Sequence, residues 1–324
     1  MSLPKISAHF TEKALRLFKS QYEHNEVYRD FCMHISRTPA SVKELADIPF
    51  LPIEFFKTHD ITSFNGIPEL EFHSSGTTKG PALKSRHFVD LKERYEDSIL
   101  NGFREFREGE HKKLRLFALL PGYLDNKNSS LLYMIDFLSR SGLVEFMGYY
   151  IDDFQKLKRD IEWSVGQAEC QILLWGVSFA LLDFAAAFPC DLRGHIVLET
   201  GGMKGRRKEM LRTELHATLS SAFNVTEIYS EYGMTELLSQ AYSKGHGLFR
   251  ASENMEVLIR DVYDPLQLMP VGESGAINVI DLNNAHSCSF IATQDLGRRN
   301  VDGTFEIMGR MDHSDVRGCN LLSI

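Results

Sequence analysis

The run Ser74-Ser75-Gly76-Thr77-Thr78-Lys79-Gly80-Pro81 gathers hydroxyls, two glycines and a lysine into one short segment. Glycine lets backbone N–H groups approach an anion, and the hydroxyls and the ammonium add donors, so the segment reads as a phosphate cradle. It is not a Walker A loop, because Gly76 and Gly80 are one residue too close and Pro81 stands where that motif needs lysine. Taken alone, a solvated polar turn explains it equally well. Further on, Glu199-Thr200-Gly201-Gly202 ends an expected strand and precedes a helix that starts with Lys204, Arg206 and Arg207. Ligands of open α/β sheets bind beyond the carboxyl ends of strands. Basic residues at a helix end already made positive by its dipole imply an anion nearby. A third segment, Tyr232-Gly233-Met234-Thr235-Glu236, follows a strand expected at Thr226–Tyr229. It offers an aromatic ring for a base, a glycine for close approach, a hydroxyl for a phosphate oxygen and a carboxylate for Mg²⁺. Lastly, Asp295, expected at the end of a strand, can accept both hydroxyls of a ribose, although Asp before glycine is mostly turn chemistry.

Other chemistry has weaker support. Gly176-Val177-Ser178-Phe179-Ala180 approximates the nucleophile elbow of α/β-hydrolases, with Ala in the place of the last glycine. No spacing selects His195, His216 or His246 as a partner for Ser178. A non-catalytic nucleotide-binding protein is a third reading. There is no HExxH, and Asp152-Asp153 lacks the alternating oxygen ligands of a calcium loop. The five cysteines, Cys32, Cys170, Cys190, Cys288 and Cys319, are scattered without a CxxC pair and read as reduced thiols.

These segments need a scaffold, and 324 residues suffice for one large core or two domains. Hydrophobic residues are 43% and charged residues 25%, as in soluble globular proteins. The net charge of −8 does not favour a nucleic-acid partner. No stretch approaches the roughly 18 apolar residues of a membrane span, and MSLPKISAHF lacks a signal-peptide core. A cytoplasmic protein without a membrane span is therefore expected. Helical spacing recurs at Phe10, Ala14, Leu17 and Phe18, and at Tyr28, Phe31, Cys32 and Ile35. A helix is expected from Phe88 to Phe106. Strand and helix then alternate: strands at Leu114–Leu120, Ile172–Trp175, His195–Glu199 and Thr226–Tyr229, helices at Leu131–Leu138, Phe179–Phe188 and Met210–Phe223. Such alternation predicts an α/β architecture with largely parallel pairing. After Tyr229, strands at Met255–Ile259, Ala276–Ile280, Phe290–Thr293 and Thr304–Met308 predict a smaller sheet-rich subdomain.

In order and spacing, the polar segments resemble the adenylate-forming superfamily of acyl- and aryl-CoA ligases, adenylation domains and luciferases. Ser74 to Gly80 is similar to its Ser/Thr/Gly-rich loop, Gly201-Gly202 to its central glycine step and Tyr232 to Glu236 to its YGxTE motif. Asp295 is similar to its ribose-binding aspartate, and Gly309-Arg310-Met311-Asp312 to its GRxD hinge. HSSGTTKGP, the LPGY stretch at Leu120–Tyr123, WGVSF at Trp175–Phe179 and the ending Arg317-Gly318-Cys319 most resemble LuxE-type acyl-protein synthetases.

The resemblance implies the layered α/β catalytic domain of that superfamily over 1–309, with 310–324 as a hinge remnant and a tail carrying Cys319. It implies ATP and Mg²⁺, with coenzyme A as a candidate thiol. The partners it implies are a small-molecule carboxylic acid and an acyl-carrier protein or acyl reductase. The acid, a fatty acid or another acyl acid, becomes acyl-AMP and its acyl group passes to a thiol near the C-terminus, here Cys319. Ser74, Ser75, Gly76, Thr77, Thr78, Lys79 and Gly80 would hold the β- and γ-phosphates. Gly201, Gly202, Tyr232 and Gly233 would flank adenine, Thr235 the α-phosphate, and Asp295 with Arg310 the ribose. Glu236 would bind Mg²⁺. The wider superfamily continues after the hinge into a lid domain with a catalytic lysine. Here twelve residues follow Asp312, so that lysine has no counterpart, and Lys204 or Arg207 is the expected substitute. Tyr123 and Trp175 are candidate walls of the acid pocket.

Overall fold

The computed structural model describes residues 6–75, 84–121, 126–167, 169–201 and 210–311. The chain forms two compact units, Met1–Gly66 with Glu253–Ile324, and Ile67–Ser252.

In the first unit the chain opens with helices α1 (Ala8–His24) and α2 (Glu26–His34). Each begins where a polar side chain satisfies an orphan backbone donor: Ser7 accepts from the Phe10 N–H and Asn25 from the Tyr28 N–H. Phe10, Ala14 and Phe18 recur every fourth residue and face the core. A two-residue strand, β1 (Leu51–Pro52), and a one-turn helix, α3 (Phe55–Thr58), follow.

The second unit starts with the antiparallel hairpin β2 (Leu70–His73) and β3 (Arg86–Val89). Next come α4 (Lys92–Phe106), β4 (Lys113–Leu119), α5 (Ser130–Arg140) and β5 (Val144–Tyr149). They are followed by α6 (Phe154–Val165), β6 (Cys170–Val177), α7 (Ser178–Ala187) and β7 (Ile196–Thr200). The unit ends with α8 (Arg212–Phe223), β8 (Tyr229–Tyr232), β9 (Ala241–Ser243) and β10 (Leu248–Ala251). Its sheet runs β10-β9-β8-β7-β6-β4-β5. From β8 to β5 all neighbours are parallel, whereas β9 and β10 return antiparallel. Parallel strands covered on both faces need continuous apolar runs, which Leu116–Leu119 and Ile172–Trp175 provide.

Back in the first unit, β11 (Met255–Arg260), β12 (Ser274–Asp281), β13 (Phe290–Arg299) and β14 (Phe305–Arg310) form an antiparallel meander, with β1 parallel to β13.

The α/β expectation and the strand-rich end both hold, but β5 and α6 had no expected counterpart and several boundaries differ. Phe88 and Val89, read as helical, lie in β3, because hairpin pairing with β2 takes their backbone groups before α4 starts at Lys92. The strand expected at Thr226–Tyr229 begins at Tyr229 and so includes Tyr232. The strand expected to stop at Thr293 runs on to Arg299 by pairing with β14, which places Asp295 inside it. Apolar spacing misses these points because pairing partners distant in sequence set the boundaries.

Close packing at the strand-to-helix turn after β6 leaves no room for a side chain at Gly176. A Cβ there would sit 2.9 Å from both Leu119 Cβ and Leu181 Cγ. Gly176→Ala is expected to cost about 1–3 kcal/mol through overpacking. A thermal midpoint equal to that of the wild type would contradict this.

Candidate active site

In the second unit, the carboxyl ends of four parallel strands meet. Leu120 and Pro121 follow β4, Val177 ends β6, Thr200 and Gly201 end β7, and Glu231, Gly233 and Thr235 lie at or just past the end of β8. Between them lies a cavity of about 220 Å³. The strand order reverses at β4, where β5 lies on one side and β6 on the other, and such a switch point opens a crevice. Among the described residues, Ser75, Gly201, Gly233 and Thr235 of the predicted site line this cavity.

Local hydrogen bonds fix these segments. Ser74 N–H donates to the Ser85 carbonyl at 3.1 Å and its hydroxyl accepts from Ser85 N–H at 3.0 Å, which joins the two ends of the polar run. His73 also lines the cavity, its ring nitrogen 2.7 Å from Glu71 Oε1. Buried His87, on β3, lies with Nδ1 2.8 Å from the Thr235 carbonyl. A carbonyl only accepts, so Nδ1 carries the proton and donates.

Beneath Gly201, which has φ +68°, two buried carboxylates have opposite fates. Burial raises the Glu199 carboxyl, but His216 at 3.7 Å, Arg212 at 3.9 Å and the Ser230 hydroxyl together bring it below the ordinary range. Glu231 lacks such compensation. Burial first and the Glu199 charge second push its carboxyl up to about 7, and only the Thr200 hydroxyl, which donates to Oε2, opposes this. Environments that separate two acids in this way are common at functional sites.

His87 and Glu231 tilt stability in opposite directions with pH. Burial lowers the His87 imidazole from 6.5 to about 4, so its contribution is present above the ordinary value and is lost as pH falls through about 4. The Glu231 carboxyl moves from 4.5 to about 7, so its contribution is present below 4.5 and is lost as pH rises through about 7. Each slope is at most about 1.4 kcal/mol per pH unit. Denaturant titrations across pH 4.5–6.5 are therefore expected to diverge. Relative to wild type, Glu231→Gln gains stability as pH rises and His87→Asn loses it, and parallel profiles would refute this reading.

The remaining predicted residues fall in four groups. Tyr232 and Glu236 are buried and are not among the described lining residues of the cavity; the Tyr232 ring meets Phe249 edge-on at 6.1 Å. Asp295 and Arg310 belong to the first unit, opposite each other across β13 and β14, with Arg310 Nε 3.3 Å from Asp295 Oδ1. Behind them Arg260 donates to Asn278 Oδ1 and to the Ile277 and Thr293 carbonyls, each at 2.7 Å. Burial lowers that guanidinium to about 10, against the pull of Glu54 and Asp295. Gly76, Thr77, Thr78, Lys79, Gly80, Tyr123, Gly202, Lys204, Arg207 and Cys319 lie outside the described residues. Trp175 is fully buried core, edge-on to Tyr242, and is not among the described residues lining the cavity.

Ser178 does sit between a strand and a helix, as an elbow would, but its hydroxyl is buried. It lies 2.9 Å from Glu199 Oε2 and 2.5 Å from the Gly201 carbonyl. A hydroxyl aimed at two acceptors and lacking a histidine base among these contacts is not an activated nucleophile. Its role here is to hold the Gly201 turn.

The description "Acyl-protein synthetase, LuxE" matches residues 2–323. The chain belongs to the LuxE acyl-protein synthetase family. This LuxE-family chain is 23% identical over 335 residues to the long-chain-fatty-acid–luciferin-component ligase of Vibrio harveyi, a match covering 94% of the chain and 84% of that protein. Among solved structures, it is similar to 2-hydroxyisobutyryl-CoA ligase, in complex there with 2-HIB-AMP and CoA, at 13% identity and a TM-score of 0.65, covering 96% of this chain and 70% of that one. It is also similar to ATP-bound MatB from Rhodopseudomonas palustris at 16% identity and a TM-score of 0.55, covering 76% of this chain and about half (49%) of that one. These likenesses establish the fold, which is that of the adenylate-forming enzymes. Among the described residues of the LuxE-family chain, no helix is long and apolar enough to cross a membrane, and no cluster of three or more His, Cys, Asp or Glu could hold a metal ion.

Lone residues such as His87, Glu231, Gln240 and Arg260 carry no motif of their own. The period-two pattern of β3 was the sole signal that could have placed His87 on an inward face.

Proposed function

We propose that this LuxE-family chain activates a carboxylic acid with ATP and then transfers the acyl group to the thiol of Cys319. In the first step a carboxylate oxygen of the acid bonds to the α-phosphorus of ATP and pyrophosphate leaves, giving acyl-AMP. In the second, the cysteine thiolate bonds to the acyl carbon and AMP leaves, giving a thioester. Coenzyme A, an acyl-carrier protein or an acyl reductase would accept the group afterwards.

One observation carries the reading: Ser75, Gly201, Gly233 and Thr235, drawn from three segments distant in sequence, line a single cavity at strand carboxyl ends. Two anions must be brought together there, so the chain's task is positioning and charge compensation. Ser74, Ser75, Thr77, Thr78 and Lys79 would hold the β- and γ-phosphates, and Thr235 the α-phosphate. Bound Mg²⁺ supplies further neutralisation of the phosphates. A carboxylate one residue from Thr235 has the donor chemistry that a hard cation takes, and Glu236 would be its ligand.

The test is a pyrophosphate-release screen over a panel of carboxylic acids, with and without added thiols. Acid-dependent release is expected. Its absence for every acid, from protein shown to be folded, would refute the proposal.

A further inference from the structure

Acyl transfer needs a step that the residues named so far do not supply, because the attacking thiol must give up its proton. Only the thiolate attacks efficiently, and a positioned base takes the proton as the new bond forms. Among the described residues lining the cavity, the histidine and carboxylate side chains are His73 and Glu231 alone. Glu231 is 8% exposed and already engaged: Oε2 receives the Thr200 hydroxyl, and Oε1 is pressed against Gly233, where a Cβ would overlap it.

His73 is held differently. Side chains alternate along a strand, so β2 presents Glu71 and His73 on one face. Phe72 between them points the other way and packs edge-on against Tyr95 and Tyr133, at 5.1 and 5.7 Å. Asn128 fixes the backbone of both residues: it accepts the His73 N–H at its carbonyl, 2.7 Å away, and donates from Nδ2 to the Glu71 carbonyl at 2.9 Å. Its neighbours Asn126 and Ser129 line the cavity too. The ring nitrogen 2.7 Å from Glu71 Oε1 is Nε2. A carboxylate only accepts, so Nε2 carries the proton and Nδ1 of the neutral ring keeps its lone pair. Among the described residues nothing hydrogen-bonds Nδ1. A base must also hand its proton on, and the His73 side chain, 34% exposed, can reach water. One nitrogen oriented by a carboxylate and the other bare is the arrangement by which a histidine activates a nucleophile.

We propose that His73, oriented by Glu71, takes the proton of the thiol that attacks the acyl-adenylate. This rests on the acyl-adenylate reading and supplies the base of its second step. As the sulfur–carbon bond forms, the thiol proton passes to Nδ1. The bond from the acyl carbon to the phosphate oxygen breaks, its electron pair leaves with AMP, and Nδ1 releases the proton to water. His73 is the catalytic residue and Glu71 a positioning residue that fixes the tautomer and the ring.

The experiment compares two rates on the intact chain with ATP, Mg²⁺ and an acid that supports exchange. Exchange of pyrophosphate into ATP reads acid activation, and mass spectrometry of rapidly quenched samples reads the thioester. In His73→Ala the ratio of thioester formation to exchange is expected to fall about 10²-fold. Added imidazole should restore part of it, a recovery that the loss of a merely structural histidine would not show. Glu71→Ala should lower the same ratio by a smaller factor and ignore imidazole, since the ring still fills its place. Equal loss of both rates in His73→Ala overturns the inference while acid activation stands, because the ring then serves phosphate or acid binding. An unchanged ratio, or a fall that imidazole leaves untouched, overturns it as well. Wild-type protein without acid-dependent exchange overturns the function itself, and exchange without any thioester overturns the transfer step together with this inference. If His73→Ala fails to fold, Glu71→Ala decides, an unchanged ratio there being the contrary result.

Discussion

Cys319→Ser is expected to abolish the acyl label that the wild-type protein acquires from ATP, Mg²⁺ and its acid, as read by mass spectrometry of the intact chain. Only a thiolate attacks the acyl carbon efficiently, so the acceptor must be a cysteine whose charged form is accessible. The described cysteines argue for Cys319 by contrast. Cys32 and Cys288 are buried, and burial pushes the Cys32 thiol up to about 12 and the Cys288 thiol higher still. Burial, aided by Glu162 and Asp191, raises Cys190 to about 11. Cys170 is half-buried in the first position of β6. Cys319 alone follows an arginine and a glycine, Arg317-Gly318, and nearby positive charge favours the thiolate. The decisive measurement is the ratio of label to pyrophosphate exchange. Label that persists in Cys319→Ser, on Cys170 for instance, would remove Cys319 from the mechanism.

Lys79→Ala is expected to lower kcat/KM for acid-dependent pyrophosphate exchange by about 10²–10³-fold, the usual effect of deleting one preorganised donor to developing charge. Joining a carboxylate to a triphosphate concentrates negative charge, and no lysine or arginine is found among the described lining residues of the cavity. The Ser74–Ser85 pair brings the ends of the polar run together next to lining residue Ser75. An ammonium supplied from within that run is the nearest source of compensation in sequence. Lys79→Arg should recover part of the rate, since charge is kept while the compact geometry is lost. Exchange equal to wild type in Lys79→Ala would refute the role.

The sequence is most legible where local patterning and chemistry coincide. Leu114–Leu120 and Ile172–Trp175 announce buried parallel strands because both faces of such strands must be apolar. The segments around Ser75, Gly201 and Thr235 stand out by their residue types, and the fold brings all three to one cavity. Boundaries set by pairing were not legible, as in the extension of β13 through Asp295 toward Arg310. The first unit also joins residues 263 positions apart: Gln21 donates to the Asn284 carbonyl at 2.9 Å, and no local pattern signals that the N-terminal helices pack with the late strands. The cavity floor was equally hidden. Glu231 reads as an ordinary polar residue before Tyr232, and its unusual state arises from burial beside Glu199, which only the fold produces.

The His87 contact has a mechanical consequence. It ties the strand that receives the chain after the polar run to the carbonyl of the residue proposed to touch the α-phosphate. Two walls of the cavity are thereby yoked through one neutral ring. Displacement of the hairpin in response to a triphosphate would drag the Thr235 turn with it, so grip on the leaving group and alignment of the reacting phosphorus would rise and fall as one motion.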